Sequence, residues 1–248
     1  MTNPETKPAL LVAENDDDFA ALAAATLVEK LETAKNPLLV LPTGNTPLGM
    51  YRALLDRYRD RDDLWPHVRF LELDEYRGLA PDDRRLFQGW LARVFLDAIG
   101  IAPENRTLFR SDAADAEAEI VRIENWLKEN GPIDLAVLGL GGNGHIAFNE
   151  PGTPFDRRTH LVTLTPDTTA ANAQYWGGID HVPQTAFTLG LGTVATARQT
   201  MLLVNGAHKA GILNRVLTGP ITPEVPATYL RRQQNVTIIA DRKSFPAP

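Results

Sequence analysis

The chain contains no cysteine, which removes disulfides, thiolate metal ligands and a cysteine nucleophile together. It has no apolar run approaching the roughly 20 residues that a membrane-spanning helix needs. Met1–Pro8 is short and polar, unlike a secretory leader, so a soluble, cytoplasmic protein is expected. Positive charge is not in excess either. With 25 Lys and Arg against 31 Asp and Glu, the net charge of −6 argues against nucleic acid as a partner. Low-complexity segments, linkers and repeats with a period of roughly 20–50 residues are also missing.

What remains is a chain of 248 residues, 44% hydrophobic, long enough to bury a substantial core as a single domain over residues 1–248. Its apolar patterning alternates strand and helix. Ala9 to Ala13 reads as a strand, followed by a helix from Asp16 to about Thr33. Strands near Leu38 and along Val68–Tyr76 come next, with helices after Pro47 and from Phe87 to Ala98, the latter stopped by Gly100. Thr107–Phe109 is a short strand before a helix from Asp115 to Glu129. Further strands are expected at Ile133–Leu138, Leu161–Leu164, near Phe187, at Met201–Val204 and at Val236–Ile239, with helices at Thr168–Tyr175 and His208–Leu217. This alternation predicts a three-layer α/β/α fold with a mostly parallel, Rossmann-like sheet and helices on both faces.

Three segments carry chemistry-bearing residues. After the apolar run Ile133–Leu138, the stretch Gly139-Leu-Gly-Gly-Asn-Gly-His-Ile-Ala-Phe-Asn-Glu-Pro-Gly152 puts Asn143, His145 and Glu150 on a glycine-rich turn. Such a turn lets the backbone approach a small ligand. A structural turn bearing a surface histidine is the plainer alternative. The strand Pro37–Leu41 runs into Pro42-Thr-Gly-Asn-Thr-Pro47, a loop whose N–H groups and hydroxyls suit a phosphate at a helix N-terminus. An ordinary strand-to-helix turn explains it equally well, and no GKS or GKT of a Walker motif follows. The strand at Val68 ends in Asp74 and Glu75. Adjacent strand side chains point to opposite faces, so the two cannot share one role: one can face a site and the other the scaffold, unless both simply cap a helix or lie in a solvated loop.

On these motifs (LPTGNTP from Leu41, LDEY from Leu73 and GLGGNGHIAFNEPG from Gly139) the chain resembles the glucosamine-6-phosphate deaminases and their isomerase relatives, within a wider group that includes the 6-phosphogluconolactonases. Weaker blocks at Val182–Gly192 and Gly206–Ala210 extend the resemblance along nearly the whole chain. DEY and GHIAFNEPG differ from the DER and GHTASLFP types of the lactonases and favour the amino-sugar phosphate branch. The resemblance implies an isomerising deaminase that converts glucosamine 6-phosphate and water to fructose 6-phosphate and ammonia. It implies a small-molecule amino-sugar phosphate as partner and no metal or other cofactor. Asp74 would shuttle the C2 proton, His145 would assist ring opening, and Asn143 and Glu150 would orient it. Thr43, Gly44, Asn45, Thr46, Glu75, Gly144 and Lys209 would bind substrate, and residues 151–183 would form a lid. A solvated cation on a helix turn is the plain alternative for Lys209. Galactosamine 6-phosphate or another amino-sugar phosphate is the nearest alternative substrate; a lactonase and a non-catalytic sugar-phosphate sensor lie further off. Relatives include monomers and homo-oligomers, and no stretch of the sequence selects between them.

Two departures from the pattern stand out. Many relatives have aspartate in the place of Asn143, and an amide can hydrogen-bond a histidine but cannot stabilise an imidazolium by charge. Gln174 stands where the family usually supplies a phosphate-binding arginine. Arg84, Arg85, Arg157 and Arg158 are the candidate replacements. The basic pair that some relatives use for an allosteric phosphate corresponds to His160 and Val162 here. Little activation by an N-acetylated sugar phosphate is therefore expected, and a sigmoidal rate curve relieved by such an effector would refute it.

Overall fold

A computed structural model describes residues 5–245, so residues 1–4 of the polar amino-terminal segment lie outside it. In chain order the elements are β1 (Ala9–Ala13), α1 (Asp16–Leu31), β2 (Leu38–Leu41), α2 (Leu48–Tyr58), β3 (Arg69–Glu72), β4 (Asp74–Tyr76), α3 (Phe87–Leu91), α4 (Asp97–Ile99), β5 (Arg106–Thr107) and α5 (Ala116–Asn130). They continue with β6 (Leu135–Gly139), β7 (His160–Thr163), α6 (Pro166–Trp176), β8 (Thr185–Thr188), α7 (Leu191–Val194), β9 (Gln199–Val204), α8 (Ala210–Thr218) and β10 (Val236–Asp241). Seven strands form one parallel sheet in the order β1-β10-β9-β6-β2-β3-β5.

Both faces of this sheet are covered, which explains why its central strands read as continuous apolar runs rather than as alternations. Leu39, Leu41, Leu135, Val137, Met201 and Leu203 pack into the core beneath α1 and α2. Their neighbours Leu38, Val40, Ala136, Leu138, Leu202 and Val204 join the opposite core with Ile123 of α5 and Leu213 of α8. Side chains that alternate along one strand thus feed two separate cores, giving the expected three layers.

The chain winds outward from β2 through β3 to β5, then returns to the other side of β2 at β6 and winds to β9. Where winding reverses, the loops leaving the carboxyl ends of β2 and β6 turn to opposite faces and leave a crevice between them.

The structure corrects several expected boundaries. Val68–Tyr76 is not one strand. Pairing with β2 ends at Glu72, and from Asp74 the chain pairs antiparallel with β8 in a second sheet, ordered β4-β8-β7. The Leu73 carbonyl accepts the Leu189 N–H at 2.9 Å where the partner changes. A period of two looks the same across such a change of partner. The helix expected from Phe87 to Ala98 is interrupted by a π-helical turn at Ala92–Leu96, whose extra residue per turn hydrophobic spacing does not reveal. The strand expected at Thr107–Phe109 is shortened to Arg106–Thr107, because the Phe109 N–H donates to Glu72 Oε2 at 2.8 Å instead of to a strand. The helix at His208 begins as a 3₁₀ turn, Ala207–Lys209, and α7 and the 3₁₀ helix Pro226–Arg232 add structure that periodicity left as loop.

Residues 151–183 hold β7 and α6 and bury Leu164, Trp176 and Val182 against Tyr76, Phe148 and Ala186 in a third, smaller core. Among the described residues no helix is long and apolar enough to cross a membrane.

One buried contact ties the sheet to its loops. Tyr51 of α2 stacks on Phe95 at 4.8 Å, and its hydroxyl donates to the Pro42 carbonyl at 2.6 Å, just before Thr43. Tyr51→Phe keeps the stacking but leaves that carbonyl without its donor, so chemical denaturation should show a loss of about 1–2 kcal/mol. An unchanged midpoint would mean that the bond contributes nothing.

Candidate active site

Four neighbouring strands, β9, β6, β2 and β3, deliver their carboxyl-end loops to the same edge of the sheet. These loops carry Lys209, the His145 turn, Thr43–Thr46 and Asp74 respectively, so topology alone gathers motifs far apart in sequence. In the β2 loop, Gly44 has φ +92° with open space where a Cβ would stand, so its requirement is conformational rather than steric. Thr46 donates to Asn205 Oδ1 at 2.9 Å and links this loop to the end of β9. Thr43, Gly44 and Thr46 are half-buried and Asn45 is exposed. No side chain caps α2, whose start follows directly.

The β6 loop is built around a ring seated on a glycine. A Cβ on Gly141 would lie 2.3–2.4 Å from three atoms of the His145 imidazole, so only glycine allows the ring to rest there. Gly144, at φ +92°, has no room for a side chain against Val225. Asn149, fully buried, donates to the carbonyls of Ile146 and Leu189 and pins the turn to β8.

His145 keeps 26% of its side chain exposed, and its Nδ1 faces Glu150 Oε2 at 3.7 Å, an ion-pair distance rather than a hydrogen bond. Asn143 acts through the backbone. Its Oδ1 accepts the His145 N–H and its Nδ2 donates to Glu150 Oε2, both at 3.1 Å, so the expected hydrogen bond from this amide to the imidazole is not the one formed. Thr168 of α6 donates to Glu150 Oε1. Burial alone would raise the Glu150 carboxyl, but His145 beside it, with Thr168 and Asn143, holds it below the ordinary value. It therefore stays anionic next to the ring.

Asp74 and Glu75 divide as the alternation along a strand requires. Asp74 is 7% exposed, and burial, followed by the neighbouring Glu75 charge, raises its pKa to about 8. Glu75 is fully buried and accepts the backbone N–H groups of Tyr76, Phe87 and Gln88, which anchors the start of α3. That is a scaffold position, held by the backbone at the start of α3.

Cations are sparse. Lys209 is half-buried, and its Nζ comes within 4.0 Å of the position a Cβ on Gly142 would take. Desolvation lowers its pKa, as expected for an ammonium waiting for an anion. Gln174 is exposed and donates to the Ala171 carbonyl. Arg85 is clamped by Asp83 at 2.7 Å with its guanidinium 4.5 Å over the Trp176 ring, two residues from Gln174 on α6. Arg84 is exposed. Arg157 and Arg158 line a separate cavity of about 440 Å³ with Glu117 and His160, and Arg158 pairs with Glu124 at 2.6 Å. Among the described residues no cluster of His, Asp and Glu could hold a metal.

Thr168 went unnoticed in the sequence, because its partner is 18 residues away and no motif marks it. Glu72 was also missed, since it read as an interior strand position.

Comparison with known proteins gives the family of the chain. The glucosamine-6-phosphate deaminase of Halalkalibacterium halodurans is 37% identical over 236 residues, covering 95% of this chain and 96% of that protein. The one from Shouchella clausii is 35% identical over 235 residues, covering 95% of each. A solved structure described as a monomeric glucosamine-6-phosphate deaminase superposes with a TM-score of 0.92 at 34% identity, over 96% of this chain and 98% of that one. The 6-phosphogluconolactonase of Trypanosoma brucei, at 21% identity and a TM-score of 0.75, shares the fold. With residues 13–239 matching the family described as glucosamine-6-phosphate isomerases/6-phosphogluconolactonase, the chain belongs to that family.

Proposed function

We propose that this chain is an isomerising deaminase that converts glucosamine 6-phosphate and water to fructose 6-phosphate and ammonia. The observation that carries the reading is a glycine-seated histidine beside an anionic carboxylate on the loop after β6, with a buried carboxyl on the chain leaving β3 on the same edge of the sheet. Full-length relatives that bear the deaminase name support it.

The reaction opens the pyranose, moves a proton from C2 to C1 and releases the amine after water adds at C2. Every step, including C–O formation at C2 and cleavage of the C–N bond, needs protons delivered or removed, the work that positioned side chains do. His145 carries the proton between the anomeric hydroxyl and the ring oxygen, with Glu150 fixing the imidazole from Nδ1 and stabilising its protonated form. Asp74 removes the C2 proton and returns it to C1, a task suited to a carboxyl whose pKa lies near working pH. Thr43, Gly44 and Thr46 with Lys209 hold the phosphate, and Arg85, parked on Trp176, supplies the charge that Gln174 cannot. Asn143 and Thr168 keep Glu150 in place, and the segment at 151–183 that carries Thr168 covers the site.

Ammonia release from glucosamine 6-phosphate and, separately, galactosamine 6-phosphate tests the reading. Release from one epimer should fall about 10²- to 10⁴-fold in Asp74→Asn, with KM little changed. Full turnover in that variant would remove Asp74 as the base, and silence with both sugars would overturn the deaminase assignment. The base must be ionised. Because its pKa is raised to about 8, kcat/KM should drop tenfold per pH unit below about 8. A profile flat down to pH about 5 would exclude this carboxyl as the group that titrates.

A further inference from the structure

Between β3 and β4 three carboxyls fall within four residues: Glu72 is 1% exposed, Asp74 7% and Glu75 0%. No lysine or arginine among the described residues forms an ion pair with any of them. The elements packed around them bring no cation. Thr188 of β8 lies opposite Asp74, Phe87 and Gln88 of α3 face Glu75, and Phe109 faces Glu72. Arg77 gives its Nη2 to the carbonyls of Ala113 and Ala114 while its Nε is buried without a partner, Arg85 is held by Asp83, and burial pushes the Tyr76 phenol up so that it stays neutral. Three anions do not coexist in such a volume, so at least one carboxyl keeps its proton.

Backbone donors decide which one. Glu75 accepts three N–H groups, at 2.8, 3.1 and 3.1 Å. Glu72 accepts one, from Phe109 to Oε2, while its Oε1 is buried with no donor. An ionised carboxylate only accepts, so a donorless buried oxygen is costly on an anion; a protonated one donates and loses that cost. Glu72 and Glu75 lie three residues apart and are buried together at this junction.

We propose that Glu72 is a neutral carboxylic acid that donates its Oε1–H to Glu75, so that Asp74 works beside the charge of Glu75 alone instead of two. Glu72 is then a positioning residue acting through Glu75, and the inference rests on Asp74 being the base. Burial, and next the Glu75 charge, hold Glu72 far above the carboxylate range. Burial also raises Glu75, but its three backbone donors pull it back.

Infrared difference spectra at neutral pH should show a protonated-carboxyl stretch that survives in Asp74→Asn and vanishes in Glu72→Gln. In kinetics, Glu72→Ala should lower kcat/KM about tenfold and move the acid limb, whereas Glu72→Gln, which restores a neutral donor, should return it to within about threefold with the limb in place. Stability gives a third readout. The folded pKa of Glu72 is raised, so its stabilisation is complete below the unfolded value of about 4.3 and is lost as pH rises toward the folded value. Glu72→Gln should flatten that decline in Tm. A wild-type spectrum without a Glu72-sensitive stretch, or a Glu72→Gln profile displaced as far as that of Glu72→Ala, would overturn the proposal. The stretch can be read whether or not Glu72→Ala folds. If Asp74→Asn kept full turnover while the stretch remained, the assignment of the base would fail and the state of Glu72 would stand.

Discussion

The reversal of winding between β2 and β6 is the constraint on which everything else depends. A parallel sheet forces each connection to cross over a face, and right-handed crossovers carry the chain steadily in one direction. Here the chain runs out to β5, jumps back across β2 and continues to the other side. At such a reversal the loops on the two sides of the switch diverge. The glycine-rich turn, the threonine loop and the Asp74 junction flank the gap, and Lys209 reaches it from β9. The crevice is thus a by-product of handedness and connectivity, furnished afterwards with side chains.

Around it the protein uses two sheets for two purposes. The seven-stranded sheet is buried on both faces and supplies rigidity. The small antiparallel sheet takes over where β3 ends and carries Asp74 away from the main ladder, with β8 and β7 pairing alongside. The transfer at Leu73 costs little, because its carbonyl simply exchanges a parallel partner for the Leu189 N–H. It also leaves Asp74 buried beside β8 while Glu75 turns to the backbone and fastens α3.

Much of this was legible from residue order. Long apolar runs at Leu38–Leu41, Leu135–Leu138 and Met201–Val204 can only be strands buried on both faces, and glycines at 141 and 144 mark a backbone that must accommodate something bulky. The division of labour between Asp74 and Glu75 follows from strand alternation alone, although which one faced the site did not. Other features left no local trace. The break at Leu73 keeps the period of two, the π turn at Ala92–Leu96 hides within a helical pattern, and Thr168 meets Glu150 only because α6 folds back over the turn. Glu72 was masked for a different reason: an acidic residue in the interior of a strand carries no sign of its depth. Periodicity reports the face of an element and is blind to partners brought together by tertiary packing.

The bond from Thr168 to Glu150 joins a helix to a titrating network. If α6 swings away, Glu150 loses a donor that favours its anionic form, and its affinity for protons rises. By reciprocity, any event that neutralises Glu150 weakens the hold on α6 by the same free energy. The seating of α6 and the proton affinity of the group beside His145 are then two readings of a single equilibrium. Whatever shifts one must retune the other without any separate signalling element.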